Sequence, residues 1–410
     1  MTRRVVVTGV GAVSALGVGA QAAWEGVKAG RCGVAPVSFD PGQHGPAPVT
    51  FPAAIPPVGF ERGFEERFGR RISGAVDRFA LLALCAVAEA LDQAGLLEHP
   101  VLNHRTAVVL GHGQGGQETL ERSYERYFGQ KTQRMHPATV PKVMVSGGAS
   151  AVAMQFGLHG PVFATSSACA SSAHALVQGA SLIQTGLVDV AVVGGSEAIA
   201  TPGCMSGWQA IQALAAETCR PFSAGRDGMV MGEGGAALIL EDLEHAQARG
   251  ARILGDFLGA GMTSDAFHLT QPSLEGVSAA MRTACASAGL EAVDEVLICA
   301  HGTGTPLNDQ NEAAAIHAVF GRKAREHPVI ATKSAHGHLI GGSAALQAVI
   351  ALRALAEGIA PPILNHIGSD PECDLDLVLG EARPIRARAA LVNAFAFGGL
   401  NVSMAFARGE

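Results

Sequence analysis

Repeatedly along this chain, a run of apolar and mostly β-branched residues breaks off into glycine or other small residues. The runs begin at Val5, Ala107, Val162, Val188, Ala236, Val296, Val329 and Ala389. Strands that are apolar at every position, not at alternate ones, belong to sheets covered on both faces. Between them lie Ala- and Leu-rich stretches, Phe79 to Ala94 and Ser343 to Ala356, whose composition predicts helices. The pattern specifies an α/β fold with a doubly covered sheet. It also carries a trace of duplication, since a strand ending near Thr165 and another ending near Thr332 are each followed by such a helix. Two segments interrupt the pattern: Pro36 to Arg78, rich in Pro, Gly and charge, and Glu118 to Val145. They read as a lid or cap set on the core.

Composition narrows the function classes. The chain has 410 residues, 48% of them hydrophobic and 16% charged, which suits a large core and extensive hidden surface. Glycine, at 52 residues, exceeds ordinary usage and marks tight turns and close backbone approach. A net charge of -7 argues against nucleic-acid binding. The cysteines at 32, 85, 169, 204, 219, 285, 299 and 373 form no CxxC pair, so neither a zinc site nor a redox dithiol is expected. Met1 to Leu16 shows no cleavage-type signal, and no apolar run of spanning length lacks Gly or polar interruption. The expectation is a cytoplasmic protein with reduced thiols and no membrane partner.

Three positions stand out chemically. Cys169 lies among Ala and Ser residues at the start of an apolar helix, where the helix dipole would lower a thiol pKa. It could equally be a small core cysteine, as the other seven are best read. His301 follows an apolar strand and precedes glycines and hydroxyls, where α/β proteins bind ligands, although loop or capping histidines also occur there. Lys333 and His338 stand five apart at a strand-to-helix junction, suited either to an anionic group or to a helix-start network. Asp309 and Glu312 offer carboxylates to hold Lys333 charged.

Together, VVVTGVGAVSALG, TSSACASSAHA, RPFSAGRDGMVMGEG, HGTGTPLND, TKSAHGHLIGGSAA and NAFAFGGLN are highly specific. Across essentially its whole length the chain resembles the type II β-ketoacyl-acyl-carrier-protein synthases. HGTGTPLNDQNE and SDAFHLT are especially similar to the branch holding nodulation protein E and the ketosynthases of type II polyketide and polyene pathways. The resemblance implies a thiolase fold, two βαβαβαββ halves (residues 1–252 and 253–410) in a five-layer α-β-α-β-α arrangement. It implies decarboxylative condensation of malonyl-acyl carrier protein with an acyl chain held on Cys169, extending a fatty-acid or polyketide chain by two carbons. Substrates would arrive on the carrier's phosphopantetheine, with no bound cofactor and no metal. The protein would act as a homodimer, or as a heterodimer with a chain-length-factor-like subunit, with Pro137 to Val145 shaping the neighbour's acyl pocket.

By the same resemblance, His301 and His338 complete a Cys-His-His site, and Lys333 and Glu312 form a supporting ion pair, with Asp309 nearby. Thr303 and Thr305 contact the pantetheine arm. Phe397, Gly398 and Gly399 form the gate, with the N–H groups of Phe397 and Cys169 as oxyanion hole. Gln114, Trp208, Met229 and Phe397 map to the acyl pocket. Arg62, Arg67, Arg70 and Arg71 would dock the acidic carrier, unless Glu61, Glu65 and Glu66 make that stretch a balanced solvated face. The chain departs from the family pattern at Ala396 and Leu400, where a glycine and a threonine are usual, and at Gln114 and Trp208. These departures predict a stiffer gate and a pocket for an unsaturated or polarised chain, although Gln114 could be an ordinary loop amide. A thiolase would want a second catalytic cysteine in the C-terminal half, and a type III synthase an asparagine in place of His338. The alternative from a different class is the non-catalytic chain-length partner of such heterodimers, which lacks the nucleophile.

Overall fold

The computed structural model describes residues 3–40, 42, 45–97, 99, 104–290 and 295–409. Ten strands carry the core. The first five are β1 (Val5–Ser14), β2 (Thr106–Gly111), β3 (Val162–Thr165), β4 (Val190–Glu197) and β5 (Gly234–Asp242). The second five are β6 (Gly255–Ser264), β7 (Val296–Cys299), β8 (Val329–Ile330), β9 (Ala389–Ala396) and β10 (Leu400–Arg408). Their spatial orders are β1-β5-β4-β2-β3 and β6-β10-β9-β7-β8, so the halves repeat strand for strand. Pairing directions repeat as well. The two pairs next to the seam are antiparallel and the two outer pairs are parallel in each half.

The seam itself is short. β1 and β6 pair antiparallel through Val5–Phe257, Val6–Asp256 and Val7–Gly255, which joins the two half-sheets into one continuous path.

Helices cover both faces. α1 (Arg78–Gln93) and α2 (Gly147–Phe156) lie outside the first half, and α4 (Leu274–Ala288) and α5 (Pro306–Phe320) outside the second. α3 (Ser171–Gln184) and α6 (Ser343–Glu357) lie between the halves, touching strands of both. These are the five layers. Close approach explains two of the strand glycines. A Cβ on Gly11 of β1 would fall 2.0 Å from the Ala86 carbonyl oxygen of α1, and one on Gly261 of β6 would fall 2.0 Å from that of Ala280 in α4. The middle position of α6 explains its composition. Ile340–Glu357 is long and apolar enough to cross a membrane, yet 83% of it is buried between the half-sheets. Each fully buried Leu or Ile there contributes about 1.5–3 kcal/mol.

The two interrupting segments form short elements outside the ten-stranded sheet. Ala35–Phe39 pairs antiparallel with Val49–Ala54, which pairs in turn with Met231–Gly232. The helix Arg62–Phe68 follows and packs Phe68 edge-on against Phe156 of α2. Gln117–Tyr124 and Thr139–Val143 are helical.

Candidate active site

Equivalent corners of the two halves supply the reactive groups. Cys169 lies on the turn between β3 and α3, and Lys333 and His338 lie between the matching β8 and α6. His301 follows β7, at the carboxyl end of a parallel strand. The Cys169 turn is tight. Ala168 has φ 47°, a left-handed conformation that a residue with a Cβ rarely adopts. Ser171 holds it there, accepting from the Ser167 N–H at 2.9 Å and donating to the Ala168 carbonyl at 2.7 Å.

The Cys169 sulfur and one ring nitrogen each of His301 and His338 lie within 4.8 Å of one another, all buried. The imidazole planes stand at 84° with centroids 5.4 Å apart. Three such ligands could in principle hold a metal ion, but the Lys333 ammonium lies 3.4 Å from His301 Nδ1, which opposes a divalent cation there. Burial, reinforced by the Lys333 charge, holds both imidazoles well below their ordinary pKa, so both are neutral. His338 Nδ1 is 2.8 Å from Ser343 Oγ, while its Nε2 has no hydrogen-bond partner among the described residues. His336, by contrast, has both nitrogens occupied, by the Gly337 carbonyl and Thr332 Oγ1, and is structural.

The thiol behaves differently from the sequence expectation. Burial pushes the Cys169 pKa up to about 11, outweighing the Lys333 charge and the N–H groups of Phe397 and Cys169 that favour the thiolate. The backbone N–H groups of Phe397 and of Cys169 itself both face the sulfur. Gly398 and Gly399 contribute no donor, because their N–H groups are taken by the Leu269 and Ala396 carbonyls at 2.7 and 3.0 Å.

Lys333 is not ion-paired to Glu312, and Asp309 does not reach it. Among the described residues no carboxylate lies within ion-pair distance of the ammonium. Its Nζ donates to the His301 carbonyl at 2.5 Å and to Gln347 Oε1 at 2.7 Å. Glu312 is turned to the backbone, accepting from the N–H groups of His301 and Gly302 at 2.7 and 2.8 Å and from Asn393. It acts on Lys333 only through its charge. Asp309 accepts from the Phe222 and Gly304 N–H groups and faces Arg226 at 3.9 Å.

A cleft of about 470 Å³ opens onto Cys169. Thr303, Thr305, Trp208, Met229 and Phe397 line it, with Trp208 tilted against Phe397 at a 6.0 Å centroid distance. Gln114 does not line it. Its side chain is exposed and accepts from the Cys204 thiol at 3.3 Å, so Gln114 is not a buried amide facing this cleft. None of Arg62, Arg67, Arg70 and Arg71 lines it either. All four are exposed, Arg67 paired with Asp92 and Arg70 with Glu65. Ala396 is the last residue of β9, paired with Leu400, and so belongs to the sheet rather than to the turn.

Several groups escaped sequence reasoning. Gln347 bridges Lys333 to the Ala300 carbonyl, and Ser343 faces His338. Glu197, fully buried, accepts from the Gly113, Gln114 and Gly341 N–H groups and is pushed by burial to about 7. Only proximity in the fold gives these residues meaning. The TKSAHGHLIGGSAA motif contains Ser343 but does not mark it.

Two family models match the chain: the N-terminal domain of β-ketoacyl synthases over residues 2–246 and the C-terminal domain over residues 254–366. Nodulation protein E of a Rhizobium species is 41% identical, covering 99% of both chains. The 3-oxoacyl-[acyl-carrier-protein] synthase 2 of Synechocystis is 37% identical over 98% of both. Among solved structures, the ishigamide ketosynthase/chain length factor superposes with a TM-score of 0.91 at 30% identity, covering all of each chain.

Proposed function

Because the chain belongs to the β-ketoacyl synthase family, we propose that it condenses a malonyl group with an acyl chain carried on Cys169, both delivered on an acyl carrier protein. The observation that supports this best is the convergence of Cys169, His301 and His338 within 4.8 Å beside two N–H donors. In the first half-reaction the thiolate attacks the acyl thioester. The N–H groups of Cys169 and Phe397 take up the oxyanion, each such donor being worth about 3–4 kcal/mol, and the carrier thiol leaves. In the second, malonyl loses CO2, and the electron pair of the broken bond becomes an enolate. Neutral His301 and His338 are suited to donate hydrogen bonds to the thioester oxygen that gains this charge. The enolate carbon then attacks the acyl-cysteine, forming the C–C bond and releasing the sulfur. No electron leaves the substrates, so the proposed sequence needs no redox cofactor.

Lys333, held by Gln347 and the His301 carbonyl, places positive charge beside both the sulfur and the enolate site. Thr303 and Thr305, lining the cleft, fit a pantetheine arm. The name of the Synechocystis relative supports an acyl carrier protein as partner, and that of the ishigamide structure supports a chain-length-factor-like subunit as an alternative to self-pairing. Such chemistry belongs with the carriers in the cytoplasm. The chain-length-factor reading for this chain itself is disfavoured by its intact nucleophile and both histidines. Trp208 against Phe397 supports an acyl chain with π surface, whereas Gln114 no longer does. Reconstitution with malonyl carrier and matched saturated or polyunsaturated acyl carriers tests the whole reading. Two-carbon extension should occur, favour the unsaturated chain and vanish in Cys169→Ala. Elongation by the pure Cys169→Ala protein would reject the assignment of the nucleophile.

A further inference from the structure

His338 is held from two sides. Its backbone N–H donates to the Val230 carbonyl at 2.7 Å, and its Nδ1 lies 2.8 Å from Ser343 Oγ. The remaining nitrogen, Nε2, is buried without a partner and belongs to the cluster with Cys169 and His301. Ser343 is itself 1% exposed and opens α6, whose first turn is pinned to α3 by the Ala345 N–H donating to Ser172 Oγ at 3.1 Å. Among the described residues the Ser343 hydroxyl has no hydrogen-bond partner other than His338.

A neutral imidazole carries its proton on one nitrogen, and the two choices leave different debts. With the proton on Nδ1, His338 donates to Ser343. The serine hydroxyl proton then has no acceptor, and the Nε2 lone pair has no donor. With the proton on Nε2, the serine donates to Nδ1 and only the Nε2–H waits for a partner. The second arrangement leaves one fewer buried group unsatisfied, and an unmet buried polar group is expensive. It also points a donor at the reacting atoms.

We propose that Ser343 is a positioning residue that donates its hydroxyl proton to His338 Nδ1 and so fixes the Nε2–H tautomer facing the thioester oxygen. The catalytic use of that donor rests on the function proposed above; the tautomer does not. Without the serine, no other hydrogen-bond partner of Nδ1 among the described residues selects a tautomer, and the Nδ1–H form presents a lone pair to a developing negative charge.

Nitrogen-15 NMR of histidine-labelled protein, with the His338 signal assigned by its loss in His338→Ala, reads the tautomer directly. Wild type should show protonated Nε2 and a hydrogen-bonded Nδ1. Ser343→Ala should show a mixture, with malonyl-carrier decarboxylation about tenfold slower, KM within about twofold, and Cys169 acylation nearly unchanged. Ser343→Thr, which keeps the hydroxyl, should restore both readouts. Protonated Nδ1 in the wild type would overturn the inference even if the variants did not fold. So would decarboxylation in Ser343→Ala at the wild-type rate. A wild type with protonated Nε2 but no decarboxylation would instead sink the proposed function and leave the tautomer assignment standing.

Discussion

At the residue scale the decisive balance is at Cys169. A helix N-terminus, Lys333 and two N–H groups all favour the thiolate, yet burial wins and the pKa rises to about 11. At neutral pH the resting site therefore holds a thiol. Its reactivity toward a small alkylating agent should climb about tenfold per pH unit from pH 7 to 9 and level off only as the raised pKa is approached. Lys333→Met should slow alkylation most at pH 7 and progressively less toward pH 9, since it removes a charge that favours the thiolate and burial holds the Lys333 pKa down to about 8. A rate already flat at pH 7 in iodoacetamide kinetics would contradict this balance. The sequence made the cysteine legible through its small neighbours and its place before an apolar helix. It could not show how dry the site is, because the covering groups come from distant stretches. The same reason hid Gln347 and misassigned Glu312. A carboxylate eleven residues beyond His301 satisfies that histidine's own backbone N–H, and the lysine falls to an amide on α6.

At the scale of elements, the motif order was legible because each reactive group follows a strand of the core sheet, and apolar runs broken by small residues mark such ends. The two helices anticipated from composition lie within a residue of their observed bounds. Less legible was the gate, whose behaviour depends on a second loop. The three-residue turn between β9 and β10 is tied to the segment after β6: the Gly398 N–H donates to the Leu269 carbonyl, and the Asp265 N–H to that of Gly399 at 2.8 Å. Gly399 has φ 71°, and a Cβ there would fall 2.4 Å from Asp265 Cβ. Gly399→Ala should therefore push the two loops apart and displace the Phe397 N–H from the sulfur. Acylation of Cys169 should fall by about a hundredfold or more, the scale expected for loss of one oxyanion donor. The melting temperature should change by only a few degrees, because the turn lies outside the core. Acylation at the wild-type rate would show that the loops slide without moving Phe397.

At the scale of the whole molecule, strand-for-strand repetition of the halves leaves one long sheet with two ends, β8 and β3. β8 is short and wholly buried. β3 is different: among the described residues it pairs only with β2, and its Phe163 is 37% exposed. Met154 of the neighbouring α2, at 70%, and Val140 and Met144 of the second interrupting segment add apolar surface. An unprotected apolar edge strand invites pairing with another chain, and soluble proteins cover or charge such edges when they are not used. β3 carries no charge, bulge or proline. The expected occupant is a second ketosynthase-like chain, which the family resemblance also implies. Pairing there would cover the exposed Gln114 and bring a neighbour's matching segment toward the Cys169 turn, which begins two residues after β3 ends. Sedimentation at micromolar concentration should give a dimer, and the double variant Phe163→Lys with Met154→Lys should weaken it by about a hundredfold or more, as loss of buried apolar anchors does. If the edge also completes the acyl site, the variant should lose condensation while Cys169 alkylation by iodoacetamide persists. A wild type that stays monomeric, or a double variant that dimerises as tightly as before, would place the partner on another face.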